Sequence, residues 1–386
     1  MIYLDNAATT GKKPESVVKA VVNALTNYSV NPGRGSFSRS QKCSQIIFET
    51  RTKLKNMFNA ETENCVIFTQ NCTQAVNFVL KGVLEHGDGI IISSAEHNAV
   101  ARPIFKLKEK GISVDFGEII FDDVKATVRS FERQITDKTR IILCTHASNV
   151  TGQIMPIEQI GELCRKRGIL FAVDAAQTAG IVPIDMQKMN IDFLFLAPHK
   201  GLYAPMGTGV LIARKPIKNT LIEGGTGTES MSLRQPADTP ERFESGTVNV
   251  PGIFGISAGV DFINKKGMEN IYRHELQLAK RFYNGLKTVR RAIVYTPEPQ
   301  EGVVVPTISF NIRGITSIDV ADYLAQNGIA VRAGLHCSPL IHGRIGTLDS
   351  GAVRVCFSAF NTVDEVDKTI NVLKSLNNRT KNQKSG

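Results

Sequence analysis

The chain alternates short, nearly unbroken apolar runs with longer amphipathic ones. Up to residue 200 the apolar runs are NCVIFT (64–69), GIIISS (89–94), ISVDFGEI (112–119), RIILCTHAS (140–148), ILFAVDAAQ (169–177) and IDFLFLAPHK (191–200). Runs of this length, bounded by turn residues, predict strands buried on both faces. Between them, TQAVNFVLKGVLE, AEHNAVARPIFKLKEKG (stopped by Gly111) and PIEQIGELCRKRG (Pro156 near its start) predict helices. The alternation predicts an α/β fold: a large, mostly parallel sheet of about seven strands covered by helices on both faces. Ligands of such sheets bind at the carboxyl ends of the strands. That brings forward Asn71, Cys72, Thr73, His97, Asn149, Asp174, Gln177, His199 and Lys200.

Near residue 260 the pattern changes. GVDFINKKGMENIYRHELQLAKRFYNGLKTV predicts one or two helices, TISFNI (307–312) a strand and SIDVADYLAQNGI a helix. VRVCFSAF (353–360) then predicts a strand and TVDEVDKTINVLKSL a closing helix, together a smaller α+β domain. The expected division is a large domain over 15–260, a small domain formed by 1–14 with 261–380, and a disordered polar tail over 381–386. No internal repeat is present, and the glycine-rich GGTGTES (224–230) lacks the strand-to-helix setting of a nucleotide loop.

Composition narrows the function classes. Hydrophobic residues make up 42% and charged residues 21% of the 386, an ordinary globular balance. No apolar run approaches the roughly 20 residues of a membrane span. MIYLDNAATT has no basic region followed by an apolar run, so a cytoplasmic location is expected. The net charge of +10 comes without a zinc finger, an RNP motif or an aromatic-interleaved basic stripe. Direct nucleic-acid binding is therefore not expected, and an acidic protein partner is the better use of the charge. The seven cysteines are odd in number, irregularly spaced and free of C-x-x-C, which argues against a disulfide framework or a metal site.

Lys200 directly follows a buried strand, where lysines are uncommon. Burial lowers an amine's pKa and frees it for a Schiff base; the competing reading is a loop-tip lysine. Asp174 ends another buried strand and needs a cationic partner there. The ring nitrogen of pyridoxal 5'-phosphate (PLP) is such a partner, since PLP enzymes pair a Schiff-base lysine with an acid on that nitrogen. A helix N-cap is the plainer role for this aspartate.

With these residues the chain resembles the class V aminotransferase-fold PLP enzymes, and within them the cysteine desulfurases and selenocysteine lyases. The matching stretches, in family order, are YLDNAATT, EHNAVARP, SNVTGQIMPI, VDAAQTAG, APHKGLYAPMGTGVL, FESGTVNVPGIFGISAGV and RAGLHCSPL. The short connection around Cys337 is similar to that of the Suf-type group. The resemblance implies the PLP-dependent transferase fold and a homodimer. It implies that Lys200 is the Schiff-base lysine and later the proton-transfer base, that Asp174 pairs the ring nitrogen, and that His97 stacks on the ring and helps acid–base steps. Asn149 and Gln177 would contact the ring oxygen side, with Asn149 also near the substrate carboxylate. Cys72, Thr73 and His199 would donate to the phosphate, joined by Thr247 from the neighbouring subunit. Arg354 would hold the substrate carboxylate, helped by Arg332.

The chain departs from the family pattern where Asn71 and Cys72 replace a glycine and a small residue, and where Ala197 replaces a hydroxyl residue. The implied reaction converts L-cysteine to L-alanine and leaves a persulfide on Cys337 for a sulfur-acceptor protein. His336, His342 or the substrate's own proton transfers would activate the thiol. The alternatives are a selenocysteine lyase, another PLP-dependent Cβ-lyase or aminotransferase on the same fold, or a non-enzymatic scaffold.

Overall fold

The strongest apolar runs of the sequence lie side by side in a seven-stranded sheet. In this computed structural model, which describes residues 1–32 and 35–382, the strand order is Val66–Thr69, Gly209–Ala213, Phe193–Leu196, Leu170–Asp174, Thr139–Thr145, Gly89–Ser93, Ser113–Gly117. Only Gly209–Ala213 runs against the others, because both of its pairings are antiparallel. The six remaining strands therefore present their carboxyl ends along the same edge of the sheet. Phe171, Phe193, Phe195, Ile141, Ile142 and Leu143 are fully buried, as expected of strands covered on both faces. At roughly 1.5–3 kcal/mol per buried large apolar side chain, these strands form a stable base for polar groups at their ends.

The chain divides into two compact units. One, the sheet unit, comprises Lys13–His146 and Pro156–Lys266. The other, the terminal unit, comprises Met1–Lys12, Ala147–Met155 and Gly267–Gly386. These bounds differ from the expected 15–260 and 1–14 with 261–380 in three respects, the first being that the N-terminal segment of the terminal unit ends at Lys12. The helix Val250–Lys266 continues through residue 260 and stops only where Gly267 turns the backbone to φ 81°. Residues 147–155, expected within the large domain, group instead with the terminal unit. Their backbone is bonded there: Ile154 N–H donates to Val303 O at 2.8 Å, and Val305 N–H donates to Gly152 O at 2.8 Å.

The terminal unit has its own four-stranded sheet, in the order Arg332–Gly334, Ala352–Cys356, Thr307–Ile312, Ala292–Val294, antiparallel throughout. The helices Met268–Lys287, Ser317–Gln326 and Val363–Asn382 belong to the same unit. Phe282 packs edge-on to Phe310 and Phe357, with ring centroids 5.8 and 5.9 Å apart. Two of the residues expected in the disordered tail, 381 and 382, close the last helix, while 383–386 lie outside the described residues.

Candidate active site

In the sheet unit, polar side chains collect at the strand ends. Asp174 is the last residue of Leu170–Asp174, and its Oδ1 accepts from Ala176 N–H at 2.9 Å. Burial raises its pKa, while the Ala176 N–H and the Lys200 charge pull the other way. A buried carboxylate that feels a lysine cation suits a protonated ring nitrogen as a further partner. The Cys72 thiol lies 3.9 Å from Asp174 Oδ1, and burial together with that carboxylate raises the thiol's pKa well above its usual value.

Cys72 opens the helix Cys72–Val83. Asn71 caps this helix by accepting from Gln74 N–H at 2.9 Å, and Gln74 reaches back to Gln70 N–H at 2.7 Å. The substitution of Asn71 for the family glycine thus gives the helix an N-cap. The Cys72 side chain is turned to the acid, so what it can offer a phosphate is its backbone N–H, alongside Thr73.

His97 follows Gly89–Ser93 and caps the helix Asn98–Lys108, with Nδ1 accepting from Ala99 N–H at 3.0 Å. That bond fixes the neutral tautomer with its proton on Nε2. Any proton handling by His97 therefore falls to Nε2. His199 and Lys200 follow Phe193–Leu196. Burial, with the Lys200 and Lys13 charges, lowers the His199 pKa to about 4, so its imidazole is neutral near pH 7 and offers an N–H donor. Gln177 is buried three residues beyond Asp174. Thr247 is exposed in the loop before Val250–Lys266.

The terminal unit carries the other set. Cys337 lies between the strand Arg332–Gly334 and the helix Pro339–Arg344. Of the seven cysteines it alone is exposed. Arg354 is 2% exposed; its Nη2 is 2.7 Å from Asp5 Oδ1, its Nη1 donates to Asn149 O at 3.1 Å, and its Nε is buried with no hydrogen-bond partner. Arg332 stands directly opposite Arg354 in the antiparallel pairing, so both side chains leave the same face. Two guanidinium groups side by side, one with an unused N–H, suit a carboxylate.

Three expectations meet different surroundings here. The Asn149 amide is occupied by the Cys337 loop, donating to His336 O at 2.8 Å and accepting from Ser338 Oγ at 2.7 Å. His336 is buried, is bonded through Nε2 to Ala352 O at 3.0 Å, and has its pKa lowered to about 2, chiefly by burial. His342 is buried too, with Nδ1 on Thr347 Oγ1 at 2.7 Å. Each imidazole is buried with one nitrogen bonded and the other without a partner, while Cys337 is exposed.

Other residues at these clusters escaped the sequence reading. Lys13 donates to His199 O at 2.8 Å. Glu96 is fully buried, accepting from Ser93 and Thr145, and burial raises its pKa to about 8. Asp5 and Glu96 sit inside the matching stretches YLDNAATT and EHNAVARP, which was the available signal. Ser338 likewise sits inside the matching stretch RAGLHCSPL, whereas nothing in the sequence pattern marked Lys13.

The class-V aminotransferase family model matches residues 2–369. A probable cysteine desulfurase of Pyrococcus abyssi is 33% identical over 97% of this chain and 94% of its own length. One from Methanothermobacter thermautotrophicus is 30% identical over 95% and 92%. The solved apo structure of a cysteine desulfurase from Thermococcus onnurineus superposes with a TM-score of 0.90 at 31% identity, covering 97% of this chain and 94% of that one. A match that spans nearly the whole chain, on a sheet with an acid, a lysine and a histidine at its strand ends, makes this chain a member of the class-V aminotransferases, the PLP-dependent family in which its cysteine desulfurase relatives fall.

Proposed function

We propose that this protein is a PLP-dependent cysteine desulfurase that converts L-cysteine to L-alanine and carries the released sulfur as a persulfide on Cys337. The observation that carries the reading is the position of Cys337: the one exposed cysteine, on a short loop of the unit that holds the Arg332–Arg354 pair. In the sheet unit, Lys200 would hold the cofactor covalently and Asp174 would face its ring nitrogen. His97 and Gln177 would lie against the ring, and the backbone N–H groups of Cys72 and Thr73, with His199, would hold the phosphate. Thr247 would serve the second copy of a homodimer. When bound, the cofactor supplies an electron sink for the bonds at the substrate's Cα.

The chain's own residues then divide the work. Arg354 takes the substrate carboxylate, with Nε as the unused donor and Arg332 adding charge. The Lys200 amine removes the proton from the substrate's Cα and returns one later. Buried Asp174 would set its carboxyl opposite the cofactor's ring nitrogen. The Cys337 thiolate attacks the substrate sulfur: an S–S bond forms, the Cβ–S bond breaks, and its electron pair stays with the substrate carbon. Protonation of that carbon gives alanine, so L-cysteine plus the thiol becomes alanine plus the persulfide with no outside oxidant. A sulfur-acceptor protein then takes the outer sulfur.

The test measures alanine formed from L-cysteine and from selenocysteine by wild type and Cys337→Ala. Cysteine turnover is expected to fall at least about 100-fold in the variant, as for loss of a nucleophile. Full cysteine turnover in Cys337→Ala overturns the reading. Wild-type preference for selenocysteine with little need of Cys337 would make the protein a selenocysteine lyase.

A further inference from the structure

Asn149 joins two groups that the proposed desulfuration needs, and this inference rests on that reading. Its carbonyl accepts from Arg354 Nη1 at 3.1 Å. Its Nδ2 donates to the carbonyl of His336 at 2.8 Å, and its Oδ1 accepts from Ser338 Oγ at 2.7 Å. His336 and Ser338 flank Cys337. Asn149 is 8% exposed, His336 5% and Ser338 0%, so these bonds are shielded from competing water while the thiol between them is exposed.

The backbone so held is strained. His336 has φ 49° and Cys337 has φ 59°, two consecutive non-glycine residues in the left-handed region. A non-glycine residue held there persists only where its surroundings impose it. Here one side chain grips the carbonyl before the cysteine and the hydroxyl after it. Ser338 N–H also closes the turn on Leu335 O at 2.8 Å.

We propose that Asn149, acting with Ser338, is a positioning residue for Cys337. The amide holds the strained turn from which the thiol projects, and its carbonyl ties that turn to the arginine that takes the substrate carboxylate. Sulfur acceptor and carboxylate anchor are thus held in one hydrogen-bonded frame before substrate arrives. The role works through the loop and requires no contact between the Asn149 side chain and the cofactor or substrate.

The test uses the PLP-loaded full-length protein and the variants Ser338→Ala and Asn149→Ala. Three quantities are read: amide hydrogen exchange over 335–339, the single-turnover rate of persulfide formation on Cys337 by mass spectrometry, and KM for L-cysteine. With Ser338→Ala, exchange is expected to rise about tenfold. The single-turnover rate should fall about ten- to hundredfold, the scale of a misplaced reacting atom, with KM within about twofold. Asn149→Ala should show the same pattern more strongly; if it fails to fold, Ser338→Ala decides. Wild-type exchange and persulfide rate in Ser338→Ala overturn the proposal, as does a rise in KM at unchanged single-turnover rate. If wild type forms no persulfide from L-cysteine, the desulfurase reading fails, and the exchange measurement still tests the grip on the turn.

Discussion

A single guanidinium shows how much one side chain is asked to do. Arg354 is buried with Asp5 on one nitrogen and the Asn149 carbonyl on another, which fixes the plane of the group and leaves Nε to bind. Lysine has no planar fork to hold three donors in a fixed arrangement. Arg354→Lys is therefore expected to raise KM for L-cysteine about tenfold or more with a smaller loss in kcat, measured by steady-state alanine release.

Glu96 gives a second prediction at this scale. Its pKa in the folded protein is about 8, above the ordinary carboxyl value of 4.5, so the native state keeps a proton that the unfolded chain releases. Its contribution to stability is complete below about pH 4.5 and is lost as pH rises through about 8, with a slope of at most about 1.4 kcal/mol per pH unit. His199 and His336 act in the opposite direction, because their folded pKa values of about 4 and about 2 lie below the usual 6.5. Their contribution is complete above pH 6.5 and is lost as the pH falls. Between pH 6.5 and 9 wild type should lose Tm more steeply than Glu96→Gln; parallel curves would show that Glu96 titrates normally.

The residues legible in the sequence were those in ordered stretches: Asp174, Lys200, His97 and Cys337 could be picked out by motif and strand end. The Asn149 grip was not legible, since it depends on a fold that joins residues 187 and 189 positions apart in the chain.

At the scale of elements, the edge of the large sheet is closed by an ion pair. Both oxygens of Glu244 take Arg51, at 2.9 and 2.6 Å, and Glu244 Oε1 also accepts from Phe68 N–H at 2.6 Å. The edge strand Val66–Thr69 thus has an outward backbone donor covered rather than left to pair with another chain. The same contact anchors the loop that leads to Thr247. Both side chains are 9% exposed, and removing one partner of such a pair costs roughly 3–5 kcal/mol. Arg51→Met should lower Tm by several degrees, and Arg51→Met with Glu244→Gln should recover part of the loss; a double variant as unstable as the sum of the singles would refute the coupling.

Long apolar strands were readable because burial on both faces writes an unbroken run. The pairs Ile2–Tyr3 with Ile329–Ala330, and the strands Ala292–Val294 and Arg332–Gly334, were not, because two or three residues are too few to show a period.

For the whole molecule, Thr247 is exposed on a loop while Asp174 and its companions are buried. Such a threonine fits a role toward a second copy. Light scattering is expected to give twice the chain mass of 42.2 kDa, and Thr247→Ala to weaken PLP retention during dialysis without unfolding the protein. A monomer that retains its PLP would remove that role. The change of pattern near residue 260 lies close to Lys266, where the sheet unit ends. The detour of residues 147–155 was not readable, since its partners lie far along the chain.

That detour bears on how the protein is made. As the chain emerges from the ribosome, the strands of the large sheet are complete by Ala213, and the sheet unit ends at Lys266. Residues 147–155 are by then long synthesised, yet Val303, Val305 and Ser309, to which their backbone bonds, are still to come. Asn149 therefore waits through translation for the loop it will hold. All of the sheet unit is synthesised before the Cys337 loop, so the seat of that exposed thiol is among the last parts of the chain that can be assembled.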